Sequence, residues 1–534
     1  MSIFKYIFLA VFITVFSGCS TKYLPQPKTD DEVVTKYTKS SDSLYFLSKD
    51  DVSLHYPKTG FYPLTDNQDA FMARLVLIDN AKKSLDLQYY IYADDETGLV
   101  LLQHIINAAQ RGVKVRLLID DMLEKGSDAE VAAIAKNPNI EIKFFNPTPM
   151  RKLMGWLQLG FNIDTFGRRM HNKLLVADNS AVILGGRNIQ NIYFAADAKN
   201  IFVDNDVLAI GPLAAKASNE FETYWNSSVV KNIKHIAQGQ EEIDYKLLVD
   251  EVFKYAHSLH ANQYAKEATK RYFMQQAKKH EIPLIYGDAQ LYFDMPSKIT
   301  TCEDDTSTHL SVKLTPYILN AKKTLKIINP YFMPNKKMME KLKELRQRGV
   351  EIYIVTNSLA TNDGIPVYSS YSRYQKELVK MGIHLYELNP KSFAYLYQHQ
   401  KYRKGKIPRS SLHAKNMIID DEIFIIGSAN LDPRSIKLNT EVVAVIHSKE
   451  LAHVESQAFE ILTQPKNVFE IAVEKVPKNT KDPLYEIIQQ PDERVVWITK
   501  QNGKTLKYYN DGNAGFWRRF GSNISHYLPL DKYL

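Results

Sequence analysis

The sequence predicts an α/β protein built from two copies of one domain, and three observations predict it. A segment repeats at long range: Asn80-Ala81-Lys82-Lys83-Ser84-Leu85 returns 240 residues later as Asn320-Ala321-Lys322-Lys323-Thr324-Leu325. Each copy continues in the same order. An apolar strand-like run (85–92 or 325–332) leads to a helical stretch ending in Gln-Arg-Gly-Val (110–113 or 347–350), then to a second strand (114–119 or 351–355). The glycine fits a helix C-cap, and alternating strand and helix patterns indicate parallel βαβ units. Finally, a His-x-Lys motif stands at His171 and again at His413, in step with the repeat. A period this long is a duplicated domain rather than a solenoid.

Length and composition agree. The chain has 534 residues, 45% apolar and 24% charged, which excludes a collagen, a disordered tail or a disulfide-rich miniprotein. The net charge of +8 is a mild excess, weakly favouring a phosphate-bearing partner. Two cysteines, Cys19 and Cys302, cannot organise a chain of this size, so the fold must rest on buried apolar cores.

In chain order, residues 1–18 read as a signal peptide: Lys5 supplies a positive start, and the apolar run 6–16 is too short to span a bilayer. Residues 19–52, rich in Lys, Asp, Ser and Thr, read as a tether with little fixed structure. Copy one is placed at 53–275 and copy two at 285–475. The remainder, 476–534, holds a β-like stretch at 494–499 and an aromatic-basic end, and is expected to pack back onto the body.

The two copies share one set of chemical groups. The first is His171, Lys173, Asp178 and Asn188, the last within Gly185-Gly186-Arg187-Asn188; the second is His413, Lys415, Asp420 and Asn430, within Gly427-Ser428-Ala429-Asn430. Apolar runs 173–177 and 181–184 flank a turn-like pair, as do 416–419 and 423–426, so each set is read as a β-hairpin with Asp178 or Asp420 at its turn. His and Lys two apart on a strand face one side. Cross-strand pairing is expected to return Asn188 beside His171 and Asn430 beside His413. Lysine neutralises phosphoryl oxygens, asparagine donates to them, and histidine attacks or shuttles protons near neutral pH, so the set suits a phosphodiester. Two such histidines, a nucleophile and a general acid, complete a two-step displacement. No HExxH, CxxC or clustered-carboxylate pattern calls for a metal, and no cofactor is expected. Asp206 and Glu441, in the similar strings Asp-Val-Leu-Ala-Ile and Glu-Val-Val-Ala-Val, are each expected to bond the far ring nitrogen of the histidine in their own copy. Asp178 and Asp420 fit turn and scaffold roles better than catalysis.

HxKxxxxD repeated twice, each followed by G-[GS]-x-N, resembles the phospholipase D superfamily over about residues 60–460. The resemblance implies mixed sheets packed face to face with the active site between them, and a phosphohistidine formed by one His while the other protonates the leaving alcohol. It assigns His171 as nucleophile and His413 as acid/base. The strings Arg168-Arg169-Met170-His171-Asn172-Lys173, Asp432-Pro433-Arg434-Ser435 and Leu438-Asn439-Thr440-Glu441 look like bacterial cardiolipin synthases of the C type. That likeness implies phosphatidyl transfer to phosphatidylglycerol from a donor such as phosphatidylethanolamine, at a membrane surface, by a monomeric unit and without nucleic acid. A His is common in that group where Tyr368 stands. Phe16-Ser17-Gly18-Cys19 also resembles a lipobox, with Phe in place of the usual Leu. It implies a lipid anchor on Cys19 at the periplasmic face of a bacterial envelope, with Ser20 favouring the outer membrane. Residues 150–161 (basic, then apolar-aromatic) and 397–409 (basic) are candidate contacts with a bilayer or its headgroups. A phospholipase D hydrolase is the second expectation. A nucleic-acid phosphodiesterase is the third, disfavoured because those typically carry one motif per chain.

Overall fold

The computed structural model describes residues 42–121, 128–147, 167–197, 199–239, 242–393, 408–475, 493–501, 503–511 and 514–526. Cys19, segment 150–161 and residues 397–407 of the basic segment lie outside them.

Copy one contributes strands β1 (Thr59–Leu64), β2 (Ser84–Tyr89), β3 (Lys114–Asp120), β4 (Ile140–Phe145), β5 (Leu174–Ala177), β6 (Ala181–Gly185), β7 (Asn200–Val203), β8 (Asp206–Ile210) and β9 (Val230–Asn232). Copy two contributes β10 (Ile285–Phe293), β11 (Thr324–Ile328), β12 (Glu351–Asn357), β13 (His384–Leu388), β14 (Arg409–Leu412), β15 (Asn416–Ile419), β16 (Ile423–Gly427), β17 (Val442–His447) and β18 (Val468–Glu474). The tail adds β19 (Arg494–Gln501) and β20 (Lys504–Tyr508).

The strands of copy one pair in the order β9-β4-β3-β2-β5-β6-β8-β1, and those of copy two in the matching order β18-β13-β12-β11-β15-β16-β17-β10. β2-β3-β4 and β11-β12-β13 are parallel, as the repeat predicts, and the hairpins pair antiparallel. A short antiparallel β1–β10 pairing joins the two sheets at their equivalent edges.

The expected face-to-face packing is present, and the strand sequences explain it. Leu174, Val176, Val182 and Leu184 meet Ile418, Phe424, Ile426 and Val442 in a core between the copies. The alternate residues Leu175, Ala177, Ala181 and Ile183 face the helices of copy one. These strands are apolar at every position because both faces are buried. The helices after β2 and β11, Glu96–Gln110 and Lys336–Gln347, start on Asp95 and Asn335 side chains that cap backbone N–H groups. They stop at Gly112 and Gly349, whose φ of +93° and +86° L side chains rarely adopt.

Two expectations about extent need correction. The tether is fixed from residue 42 onward, because Leu44, Leu47 and Val52 are buried in the core of copy one. A boundary at 275 would cut the helix Tyr272–Lys279, which packs Phe273 and Met274 into that core. The tail packs onto copy two: β19 and β20 extend its sheet past β18, and the helix Phe516–His526 lies against the helix Ile365–Ser372. Tyr368, at the position where a His is common, donates its hydroxyl to Asp511 of that tail at 3.1 Å.

Candidate functional site

The two hairpins carry their motifs to one place by exchanging partners. His171 donates its backbone N–H to Thr440 O of copy two at 2.9 Å, and His413 donates to Val203 O of copy one at 2.8 Å. β14, which leads into His413, pairs with β7. On the other side, Met170 bridges Thr440.

The carboxylates are exchanged in the same way. Glu441 lies 2.9 Å from His171 Nδ1, across the copies, and Asp204 lies 2.7 Å from His413 Nδ1. This corrects both orienting assignments. Glu441 serves the histidine of the opposite copy, and Asp206 serves neither. Asp206 is a buried partner of Arg74 at 2.9 Å and Arg187 at 3.3 Å. The sheet register explains the error. Gly185 pairs with Asp206, whereas Gly427 pairs with Val443, so the counterpart of Glu441 is Asp204. A two-residue slip preserves the strand's in–out alternation and so leaves no trace in the pattern. Gly186 is the signal that could have found Asp204: a Cβ there would lie 2.1 Å from Asp204 Oδ1. The equivalent Ser428 uses its side chain instead, donating to Glu441 Oε2 at 2.5 Å.

This network sets the proton positions. His171 Nδ1 faces only acceptors, Glu441 and, at 3.2 Å, the carbonyl of Ser428. Nδ1 therefore carries the hydrogen, and Nε2 presents its lone pair. Burial is the main force on His171 and lowers its pKa to about 4, although Glu441 opposes it. Burial pushes Glu441 upward, but His171, Lys173 and Ser428 outweigh it and hold the group below its ordinary value. Burial similarly lowers His413, helped by Lys415 and opposed by Asp204. Asp204 falls to about 2, because His413 and Lys415 overcome its own burial.

The lysines converge on the same space. Lys173 and Lys415 each donate to the backbone carbonyl of their own motif histidine, and Lys415 Nζ lies 3.2 Å from His413 Nδ1. Burial lowers both, Lys415 to about 8, and each lysine lowers the other motif's histidine. Aromatic rings hold the imidazoles: Tyr90 packs edge-on to His171 at 5.1 Å, while Tyr193 and Phe202 flank His413 at 5.0 and 4.9 Å.

Asn188 is buried near the site, and its side chain is engaged within copy one. Its Oδ1 accepts from Ile91 N at 3.1 Å and its Nδ2 donates to the Tyr193 hydroxyl at 2.9 Å. The amide thus links the segment bearing Tyr90 to the ring beside His413. Asn430 is buried, with its backbone N–H on Ser435 Oγ at 3.0 Å and its Oδ1 without a hydrogen-bond partner among the described residues.

Asp178 and Asp420 are scaffold. Asp178 accepts from the backbone N–H groups of Lys82, Lys83 and Ser84 at 2.7–2.9 Å, and Asp420 accepts from those of Lys322, Lys323 and Thr324 over the same range. The repeated Asn-Ala-Lys-Lys segment and the motif aspartate are therefore two halves of one contact. Asp178 and Asp420 adopt φ of 53° and 56°, a turn geometry that Asp tolerates. Replacing Asp178 by Ala strands three backbone donors and is expected to lower unfolding free energy by about 3 kcal/mol. Calorimetry against wild type measures that loss, with turnover per folded molecule unchanged.

Two histidines, each steered by the other half's carboxylate and backed by a lysine, on a duplicated α/β body, define a site of the phospholipase D type. The family described as cardiolipin synthase, PLD-like domain, matches residues 75–225 and 314–463, and the chain belongs to it. It is 32% identical to cardiolipin synthase C of Escherichia coli K12 over 483 residues, 90% of this chain and 97% of that one. An uncharacterized protein of Helicobacter pylori J99 is 31% identical over 99% of both chains. The crystal structure of phosphatidylserine synthase from Haemophilus influenzae superposes with a TM-score of 0.54 at 17% identity, covering 78% of this chain and 90% of that one, a likeness of fold.

Proposed function

We propose that the protein makes cardiolipin by transferring a phosphatidyl group to phosphatidylglycerol through a phosphohistidine. The reciprocal exchange of Glu441 and Asp204 carries this reading, because it gives one site two imidazoles, each with its Nδ1 on a carboxylate of the other copy. His171 Nε2 attacks phosphorus, the bond to the headgroup oxygen breaks, and His413 hands that oxygen a proton. The primary hydroxyl of phosphatidylglycerol then gives its proton to His413 and attacks phosphorus, and the P–N bond breaks. Lys173, Lys415, Asn188 and Asn430 surround the phosphoryl oxygens and offset their charge. An anionic substrate entering between the histidines raises the proton affinity of His413, as its acid role requires.

Labelled phosphatidylethanolamine, supplied with and without phosphatidylglycerol, tests the reading. Cardiolipin formed only with both lipids is the expected result. Phosphatidic acid as sole product would make water the acceptor and the protein a hydrolase.

The acid limb of the pH profile follows from His171. A neutral nucleophile with pKa about 4 keeps kcat/KM high down to that pH, below the ordinary limit of 6.5. The sign for stability is the same. The unfolded chain takes up the His171 proton first on acidification, so this contribution is full above about 6.5 and is lost as pH falls toward about 4.

The Cys19 lipid anchor and a periplasmic, outer-membrane station complete the proposal. No helix among the described residues is long and apolar enough to cross a membrane. Cys19→Ser is expected to shift the protein from the membrane fraction to the soluble envelope fraction, and unchanged fractionation would remove the anchor from the account.

A further inference from the structure

The C-terminal helix Phe516–His526 turns an aromatic face outward. Phe516, Trp517, Phe520 and Ile524 share one side of it and are 50%, 77%, 45% and 50% exposed. Their rings form one cluster, with Trp517 5.3 Å from Phe516 and 6.2 Å from Phe520 between centroids. The opposite side of the helix is fastened. Ser522 bonds Ser369 at 3.0 Å, and Arg518 donates to Leu359 O at 2.8 Å and to Asn362 O. The exposed face is thus held in place rather than frayed, and single exposed apolar residues do not account for a contiguous patch.

We propose that this face seats in the headgroup layer of an anionic phospholipid bilayer. The choice of a bilayer over a protein partner rests on the phosphatidyl-transfer reading, and charge supports it. Residues 515–526 carry Arg518 and Arg519 and no acidic residue. Arg409 stands two residues before Ser411, which donates to Thr361 O in the same loop that Arg518 grips, so both arginines belong to the neighbourhood of that loop. Asp363 offsets Arg518 and Asp511 offsets Arg519, whereas Arg409 forms no ion pair among the described residues. The uncompensated Arg409 at the loop the helix grips, together with the exposed tryptophan and phenylalanine, suits anionic headgroups and acyl chains. The seat is also tied to the chemistry. Arg518 grips the loop 359–362, Ser411 donates to Thr361 O in that loop, and two residues after Ser411 stands His413. A bilayer held by the helix is therefore at a fixed distance from the site.

The test uses the full chain and Trp517 fluorescence, isolated as the difference between wild type and Trp517→Phe. Vesicles of phosphatidylglycerol with brominated acyl chains are expected to quench that component by about half. Half-maximal quenching is expected at a lipid concentration at least about fivefold below that for brominated phosphatidylcholine. No quenching by either lipid overturns the proposal. Equal response to both removes the role of Arg409. A blue shift that grows with protein concentration in the absence of vesicles assigns the face to a second copy of the chain and overturns it as well. None of these readings needs turnover. Activity on short-chain phosphatidylethanolamine, dispersed without vesicles, separately reports whether the phosphatidyl-transfer reading holds.

Discussion

Replacing His171 by alanine is expected to lower cardiolipin formation by at least about 10⁴-fold, with the fold intact. The imidazole is nearly buried, but its loss strands little: Glu441 keeps the hydroxyls of Ser428 and Ser435, each at 2.5 Å. The change therefore removes the attacking Nε2 without dismantling its surroundings. Purified variant, assayed by product formation and by circular dichroism, checks both halves of the statement. Normal release of ethanolamine by this variant would show that His171 is not the nucleophile.

The second large effect concerns the exchange of carboxylates. Glu441→Gln and Asp204→Asn are each expected to lower kcat by about 10²–10⁴-fold, the range for a misplaced imidazole tautomer. The two variants overlap in the first half-reaction, where attack and leaving-group protonation belong to one step, and differ in the second, where only Asp204→Asn is expected to slow discharge of the phosphohistidine. Glu441 lies in copy two but holds His171, so Glu441→Gln is expected to slow formation of the covalent intermediate. Asp204 lies in copy one but holds His413, so Asp204→Asn is expected to slow proton delivery to the leaving group and activation of the acceptor. Rapid-quench measurement of the phosphoenzyme separates them. A reversed assignment would mean that each carboxylate serves its own copy. Asp206→Ala is a contrast: it unpairs buried Arg74 and Arg187 and is expected to cost about 3–5 kcal/mol of stability.

Much of this was legible in the residues. The long-range repeat, the helix stops at Gly112 and Gly349 and the all-apolar hairpin strands encode the duplicated fold through local rules that need no tertiary knowledge. The scaffold role of Asp178 and Asp420 was legible for the same reason, since a turn aspartate has a local chemistry. What depended on register was not legible. Asp206 opens β8 and Asp204 lies two residues before it, and only the pairing of Gly185 with Asp206 tells which of the two matches Glu441. The exchange between copies was also invisible, because no sequence pattern says which half's carboxylate meets which half's histidine. It follows from the β7–β14 pairing and the Met170–Thr440 bridge, which join residues about 200 or more positions apart.

In the proposed composite site His171 carries the phosphatidyl group and His413 moves the protons. Rapid acid-free quenching of wild-type protein with donor lipid labelled at phosphorus, followed by proteolysis and peptide mapping, shows which histidine holds the label. The label is expected on the peptide containing His171, with discharge into cardiolipin when phosphatidylglycerol is added. Label on the His413 peptide, or turnover to cardiolipin with no labelled peptide at any time, would contradict it.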